Sequence, residues 1–292
     1  MISWFKDCNY KTKSLVGGKN ASLGELYNLS EKLNFNIANG FAITTTFYQT
    51  FIENNNISHL IEPILNDVDC DDIEQLNNAS NKIKDLFKKT TFSKKEIDVL
   101  FQAYDSLKEM YNNNIEVAVR SSAVCEDLDN ASFAGQQDTY LNITNKNELL
   151  NSVKNCFASL FNSRAISYRK SMNYTNDVTI SVCIQKMVRS DLGKSGVAFS
   201  IDSESGFKKS ILINASWGLG EMVVGGKIKP DEFIVFKDKL EDYLPIIDKK
   251  LGNKTHKMIY GNNPNTLTGN ESFIDASGNN VSVEYRVSSH FI

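Results

Sequence analysis

The residues best suited to chemistry lie between Ile115 and Ile143, where a strand-like segment reaches an arginine. The run IEVAVRS alternates β-branched and small side chains up to Arg120. A small, polar, acidic segment then leads through Gly135 to QDTYLNI, a second strand pattern. An arginine beside a small-residue loop can hold an anion, because the guanidinium is a planar fork of donors and the loop exposes backbone N–H groups. An ordinary hairpin with a structural Arg–Asp pair fits the same pattern equally well.

A second cation, Lys19, lies near the start of the chain beside two glycines. In SLVGGKNASLGELYNLSEKL (14–33), Lys19 follows Gly17 and Gly18 and begins a helical pattern of leucines. A helix N-terminus gathers unpaired N–H groups and partial positive charge, so a lysine there suits a phosphate. The segment is not a Walker A loop, because the first glycine of that motif is missing at the required distance. A glycine turn before an amphipathic helix, with a solvated lysine, is the alternative.

The elements that must position these residues begin with helices. The chain from 57 to 112 has a helical pattern broken at DVDCDD (67–72) and at TTFSKKE (90–96). The second break carries the capping pattern Ser-x-x-Glu at Ser93 and Glu96. The spacing of apolar residues predicts one long amphipathic helix from Lys146 to Met172, packed on a sheet.

Strand patterns dominate the later part of the chain. They cover residues 178–188, 195–202, 209–217 and 231–237, and VSVEYRV near the end is one more candidate. Strands spaced this closely, with no helices between them, form an antiparallel sheet. We therefore expect an α+β fold in two parts: a helix-rich part, 1–112, with the Gly-Gly-Lys turn, and a sheet-rich part, 113–292.

Composition excludes several classes of function. A net charge of −3 gives no reason to expect a nucleic-acid or membrane partner. No run of 18 apolar residues is present, so no transmembrane helix is expected. The five cysteines are scattered without a C-x-x-C pair, and there are only three histidines. Zinc and a disulfide framework are therefore not expected, and with no apolar signal segment we expect the cytoplasm.

The segment IQKMVRSD suggests how a base could be bound. Its backbone offers alternating donors and acceptors, and Met187 and Val188 could form an apolar slot for adenine. With Lys19 and Arg120 this indicates an ATP site built from antiparallel regions, an ATP-grasp style of architecture. A dinucleotide fingerprint is not present, because position 223, where a third glycine would fall, is Val.

ATP chemistry also needs Mg²⁺, which carboxylates and phosphate oxygens hold. Glu221, after a Gly-x-Gly turn, is the acid we most expect to face a cleft and touch ligand or metal. The metal ligands themselves are not assigned. The candidate acids are Glu126, Asp127, Asp129, Asp138, Glu221, Asp231 and Glu232.

Five long motifs resemble the ATP-binding part of the PEP-utilising enzyme family, which includes phosphoenolpyruvate synthase, pyruvate phosphate dikinase and rifampin phosphotransferase. The resemblance runs from about residue 3 to about residue 290, and MVRSDLGKSGVAFSIDSESGF is nearer to the synthase than to the dikinase. The motifs are VGGKNASLGEL (16–26), VAVRSSA…ASFAGQQDTYLNI (117–143), FASLFNSRAISYR (157–169), IQKMVRSDLGKSGVAFSIDSESGF (184–207) and ASWGLGEMVVGGKIKPDEF (215–233).

The resemblance implies an ATP-grasp-like domain that binds Mg-ATP and passes a phosphoryl group to a histidine on a swivelling domain. A third domain then phosphorylates pyruvate, which yields AMP, phosphate and phosphoenolpyruvate. By motif match Lys19 and Arg120 hold ATP phosphates, and catalysis is positioning plus charge neutralisation. The remaining matched positions fall in the loop that closes over the phosphates, Gly135, Gln136 and Thr139, and in the segment around adenine, Gln185, Lys186, Met187 and Val188.

The sequence departs from the family at its end. The D-x-E-W and Q-x-R-P-E-T strands, which carry a metal-binding Glu and a second Arg, are not found. His59, His256 and His290 do not match the phosphohistidine motif, and the pyruvate-binding barrel is not found either. We therefore expect a truncated ATP-binding portion of a phosphoenolpyruvate synthase. The alternatives are an inactive fragment or free-standing nucleotide-binding module, and the ATP domain of a rifampin phosphotransferase.

Overall fold

The computed structural model describes residues 1–124, 127–128, 131–132, 138–171 and 178–259. The chain divides into two units, Met1–Met187 and Val188–Ile292. Both mix helices with antiparallel strands, so the fold is α+β as the sequence predicts. The expected division at 112/113 falls inside the first unit, where strands from both sides of it share one sheet.

The helices between residues 57 and 112 follow the predicted pattern, with breaks at the two predicted points. Helix α5 begins at the expected capping box, where the Glu96 N–H donates to Ser93 Oγ and the Ser93 N–H donates to Glu96 Oε2 at 2.6 Å. The bounds are α1 (Lys13–Leu33), α2 (Thr45–Asn55), α3 (Ser58–Asn66), α4 (Ile73–Lys89), α5 (Lys94–Glu109), α6 (Lys146–Ser159) and α7 (Ser163–Ser171).

The single long helix predicted from Lys146 to Met172 is wrong, because two helices, α6 and α7, occupy this range. The buried side chain of Arg169, on α7, donates Nη1 to the carbonyl oxygen of Leu160, at the end of α6, at 2.5 Å. The arginine thereby satisfies a carbonyl that the broken helix leaves without an intrahelical partner. The spacing of apolar residues does not reveal this break, because both helices bury residues in the same hydrophobic core.

The strands of the first unit form a five-stranded sheet in the order β1-β2-β7-β3-β6, with every neighbouring pair antiparallel. Strand β7, expected to join the strands that follow it, instead lies between β2 and β3. Strand β1 was not predicted. The bounds are β1 (Ile2–Trp4), β2 (Gly40–Ile43), β3 (Val117–Ala123), β4 (Asp127–Leu128), β5 (Ala131–Ser132), β6 (Thr139–Ile143) and β7 (Ile180–Lys186), with β4 and β5 paired only to each other.

The two faces of this sheet differ in what covers them. Alternate residues of β3 and β7, such as Val119 and Val182, enter a large core with helices α2 to α7. Phe51 and Phe157 lie at the centre of this core, with ring centroids 5.3 Å apart. Each fully buried phenylalanine contributes about 1.5–3 kcal/mol. The opposite face carries the start of α1 and a smaller apolar cluster that includes Val16 and Ala42.

The second unit is built on a four-stranded antiparallel sheet in the order β11-β10-β9-β8. Strands β8, β9 and β10 were predicted. Strand β11 was not, because its five residues, IIDKK, are all exposed and do not alternate. The predicted strand VSVEYRV lies outside the described residues. The bounds are β8 (Lys194–Phe199), β9 (Ser210–Trp217), α8 (Glu221–Val224), β10 (Asp231–Phe236) and β11 (Ile246–Lys250). None of the described helices is both long and apolar enough to cross a membrane.

A fully buried ion pair holds the segment that follows β11. The Lys254 ammonium donates to Asp231 Oδ1 at the start of β10, and both side chains have no exposed surface. The Gly252 N–H donates to the same carboxylate oxygen at 2.8 Å. A buried charge needs such compensation, because removing it from water costs several kcal/mol. Asp231, a candidate metal ligand in the sequence, is therefore used inside the fold.

We predict that Lys254→Met destabilises the chain by about 3–5 kcal/mol, because it removes the ammonium from a buried carboxylate. Urea unfolding of the full chain measures the effect. The matched control is Lys250→Met, which removes an exposed partner of Glu232 and should change the unfolding midpoint little. Equal shifts for the two variants would contradict the assignment.

Candidate functional site

A row of residues that are paired neighbours across the first sheet carries part of the predicted site. Ala42, Cys183, Arg120 and Thr139 are successive cross-strand partners on β2, β7, β3 and β6. Paired residues share a face, so all four lie on the face that carries α1. Ala42 and Cys183 are buried, whereas Arg120 and Thr139 are exposed. On this face the boundary between buried and exposed residues therefore lies between β7 and β3, at Arg120.

Helix α1 is broken at Gly17, which has φ 75° and ψ 165°. The regular helix thus begins after Gly17, with Lys19 in its first turn, as the sequence predicts. A Cβ at position 17 would lie 2.2 Å from the carbonyl oxygen and 2.3 Å from Oγ of Ser122. Only glycine permits both this backbone conformation and this approach to β3. Lys19 is half-buried at this junction.

Asn20 fixes the first turn of α1 to the sheet, a role that the sequence analysis missed. Its N–H donates to Ser122 Oγ at 3.4 Å, and its Nδ2 donates to Ser181 Oγ at 3.0 Å and to the Val16 carbonyl oxygen at 2.8 Å. Ser122 lies two residues after Arg120 and so shares its face. That period-two relation was the signal available in the sequence.

Both predicted phosphate-binding cations act on the same buried thiol. Burial raises the pKa of the Cys183 thiol to about 12, while Arg120 and Lys19 each oppose that shift. Cys183 is the direct cross-strand partner of Arg120. Arg120 therefore shares a face of the sheet with the first turn of α1, which contains Lys19, although the two residues are far apart in sequence. No carboxylate among the described residues forms an ion pair with Arg120.

The segment predicted to surround adenine begins at the end of β7. Gln185 donates Nε2 to the Ala38 carbonyl oxygen at 3.0 Å, and Lys186 donates Nζ to the Met187 carbonyl oxygen at 3.0 Å. The Lys186 ammonium also lies 5.1 Å from the centroid of the Tyr111 ring. The Met187 N–H donates to the Glu116 carbonyl oxygen at 2.8 Å, so this donor is used within the fold. The Met187 side chain is 8% exposed.

The other predicted site residues are distributed as follows. Val188 and Glu221 belong to the second unit, where Val188 is 63% exposed and Glu221 begins α8. Gly135 and Gln136 lie outside the described residues, as do Glu126, Asp129 and His290. His59 and His256 are exposed. The described residues contain no group of three or more His, Cys, Asp or Glu that could hold a metal ion.

A cavity of about 860 Å³ lies on the helical side of the first unit, between α4 and α7. Lys84 and Arg164 line it, together with Asp138 at the edge of β6. The Asp138 carboxylate accepts a hydrogen bond from the Tyr140 hydroxyl at 3.1 Å. None of the predicted nucleotide-binding residues lines this cavity, so it is separate from the face that carries Arg120.

The sequence matches a known family over most of its length. Residues 13–285 match the family described as pyruvate phosphate dikinase, AMP/ATP-binding domain, and the chain belongs to this family. The class of the chain is therefore an AMP/ATP-binding domain.

The curated relatives that the chain resembles are phosphoenolpyruvate synthases. The chain is 50% identical over 262 residues to phosphoenolpyruvate synthase of Helicobacter pylori, covering 89% of this chain and 32% of that protein. It is 44% identical over 264 residues to phosphoenolpyruvate synthase of Aquifex aeolicus, covering 89% and 31%. It is 42% identical over 262 residues to the Escherichia coli protein of the same name, covering 89% and 33%. The chain thus spans about a third of the length of these relatives.

We predict that Gly17→Ala destabilises the first unit by at least about 1–3 kcal/mol, through the strained φ and the clash with Ser122. Denaturant unfolding measures the change. The control is Gly206→Ala, at φ 72° with no atom close to the added Cβ, which imposes the φ strain without the clash. A smaller effect at position 17 than at position 206 would contradict the close approach.

Proposed function

We propose that this chain is the ATP-binding portion of a phosphoenolpyruvate synthase and that it binds Mg-ATP. The observation that carries the proposal is that the exposed Arg120 lies on the same face of the first sheet as the first turn of α1, which contains Lys19 and packs against Ser122. Two cations from distant parts of the chain, at the edge of a covered face, suit the triphosphate of a nucleotide. The names of the relatives support the choice of the synthase over rifampin phosphotransferase.

In this proposal Arg120 and Lys19 bind the phosphates and neutralise charge that develops during phosphoryl transfer. Thr139, the cross-strand neighbour of Arg120, adds a hydroxyl on the same face. Gly135 and Gln136 precede Thr139 in sequence, and we assign them to the closing loop on the family resemblance alone.

The base is assigned to the segment that begins at Gln185. At the end of β7, the side chains of Gln185 and Lys186 donate hydrogen bonds to the Ala38 and Met187 carbonyl oxygens. The Met187 N–H already has a protein acceptor, which leaves the exposed Val188 as the better donor to an adenine edge. Met187 and Val188 remain our candidates for the apolar slot.

Mg²⁺ is proposed to arrive with the nucleotide. The phosphate oxygens would supply several of its ligands, as is usual for this ion. Glu221 is our candidate for a further contact to the nucleotide or the metal. Asp231 is excluded from that role by its buried pair with Lys254.

The whole reaction is also a proposal, because the chain spans only about a third of its relatives. ATP, pyruvate and water would yield AMP, phosphoenolpyruvate and phosphate, through a phosphohistidine. The histidine-bearing and pyruvate-binding domains would be partners of this chain. We further propose an ATP-grasp-like architecture, supported by antiparallel rather than parallel sheets in both units, and a cytoplasmic location, supported by the buried free thiols Cys8, Cys156 and Cys183.

We predict that Arg120→Ala weakens Mg-ATP binding about ten- to a hundredfold, as expected for loss of a charge-assisted hydrogen-bonding partner. Isothermal titration of the full chain measures the dissociation constant. The control is Arg164→Ala, which removes the same exposed side chain from α7, a helix packed into the core on the other side of the sheet.

The control variant should bind Mg-ATP like the original chain. Unchanged affinity in Arg120→Ala would remove the phosphate role from Arg120. Failure of the original chain to bind Mg-ATP would remove the nucleotide-binding proposal itself.

A further inference from the structure

Three buried oxygen atoms of the second unit have no hydrogen-bond partner among the described residues: Oγ of Ser195, Oγ of Ser216 and Oε2 of Glu221. Ser216 has no exposed surface at all. Buried polar atoms without a partner are uncommon in native proteins, and a bound water or ion is one usual explanation for them. Three such atoms at neighbouring positions therefore indicate a common binding partner.

The three atoms belong to neighbouring positions. Ser195 and Ser216 are cross-strand partners in the β8–β9 ladder, so their side chains lie side by side on one face. Gly220 packs on this face, with the position of an added Cβ only 3.9 Å from Ser195 Oγ. Glu221 follows directly and begins α8, which contacts both β8 and β9.

The number and kind of these atoms distinguish among the possible occupants. A buried water typically makes about three hydrogen bonds, which matches the three orphan atoms. Mg²⁺ and Ca²⁺ need roughly six or more oxygen ligands, and only one of these three oxygens is charged. A nucleotide could not reach them, since all three atoms are fully buried.

We propose that one buried water molecule joins Ser195, Ser216 and Glu221, and that the two serines are positioning residues for the Glu221 carboxylate. The water accepts hydrogen bonds from the serine hydroxyls and donates one to Oε2. Glu221 is only half-buried, and its other oxygen, Oε1, is not among the buried unpartnered atoms. Holding Oε2 thus fixes the direction in which Oε1 is presented. This last step rests on the proposed role of Glu221 in binding Mg-ATP.

The position of the glycine turn agrees with this role. Gly218 has φ 80°, its N–H donates to the Gly193 carbonyl oxygen at 3.1 Å, and the Leu219 N–H donates to the Met258 carbonyl oxygen at 2.9 Å. The backbone before Glu221 is therefore held from two sides. The carboxylate is the remaining part that needs an anchor, and the water supplies it.

A crystal structure of the full chain tests the water directly. We expect one density peak within hydrogen-bonding distance of Ser195 Oγ, Ser216 Oγ and Glu221 Oε2. An empty space there, or a direct hydrogen bond between the two serines that satisfies both, would overturn the proposal.

Titration with Mg-ATP tests the positioning role. We expect Ser216→Ala to raise the dissociation constant about fivefold, the equivalent of one hydrogen bond. The same substitution in a Glu221→Gln background should add nothing further, because the anchored group is already altered. Ser195→Thr, which keeps the hydroxyl, should bind like the original chain, whereas Ser195→Ala should not.

The matched control is Ser210→Ala, a buried serine of β9 whose hydroxyl donates to the Phe207 carbonyl oxygen at 3.0 Å. It should lower the melting temperature without changing Mg-ATP affinity. Equal affinity changes at positions 210 and 216, or independent effects of Ser216→Ala and Glu221→Gln, would overturn the positioning role. If the original chain does not bind Mg-ATP, the proposed function and the positioning role both fail, while the water is still decided by diffraction.

Discussion

The close contact between Gly17 and Ser122 is the constraint on which the rest of the proposed phosphate site depends. Because no Cβ separates them, the first turn of α1 lies directly against β3. Asn20 then bonds to serines on β3 and β7, which fixes the rotation of the helix about its axis. Lys19 lies between the glycines and Asn20, in the turn that these contacts hold against the sheet. The lack of a side chain at Gly17 thereby brings the first turn of α1, which contains Lys19, against the strand that carries Arg120.

The two faces of the first sheet differ in burial, and the face that carries α1 is only partly covered. Residues on the core side of β3 and β7 are apolar and pack against helices on the far side. On the α1 side the row runs from buried Ala42 and Cys183 to exposed Arg120 and Thr139. Burial raises the pKa of the Cys183 thiol to about 12, so this cross-strand partner of Arg120 is neutral at physiological pH. A thiolate at this position would repel an anionic ligand.

Much of this arrangement could be predicted from particular residues. Period-two alternation located β3, and the Ser93–Glu96 pair located the start of α5. Gly17 and Gly18 before a leucine pattern located the helix start at Lys19.

The pairing of strands that are distant in sequence could not be predicted. Strand β7 belongs with β2 and β3 rather than with the strands that follow it, since its apolar side is needed in the helical core. At the break between α6 and α7, the Arg169 side chain donates to a carbonyl nine residues earlier, a contact that apolar spacing does not predict. The buried pair of Asp231 and Lys254, and the serines beneath α8, give no local signal at all.

The central claim is that Lys19 and Arg120 bind the phosphates of one nucleotide. A crystal structure of the chain with Mg²⁺ and a non-hydrolysable ATP analogue tests it most directly. The account predicts phosphate oxygens within about 3 Å of both the Lys19 ammonium and the Arg120 guanidinium. A nucleotide whose phosphates contact neither cation, for example one seated in the cavity between α4 and α7 with its phosphates on Lys84 and Arg164, would contradict it.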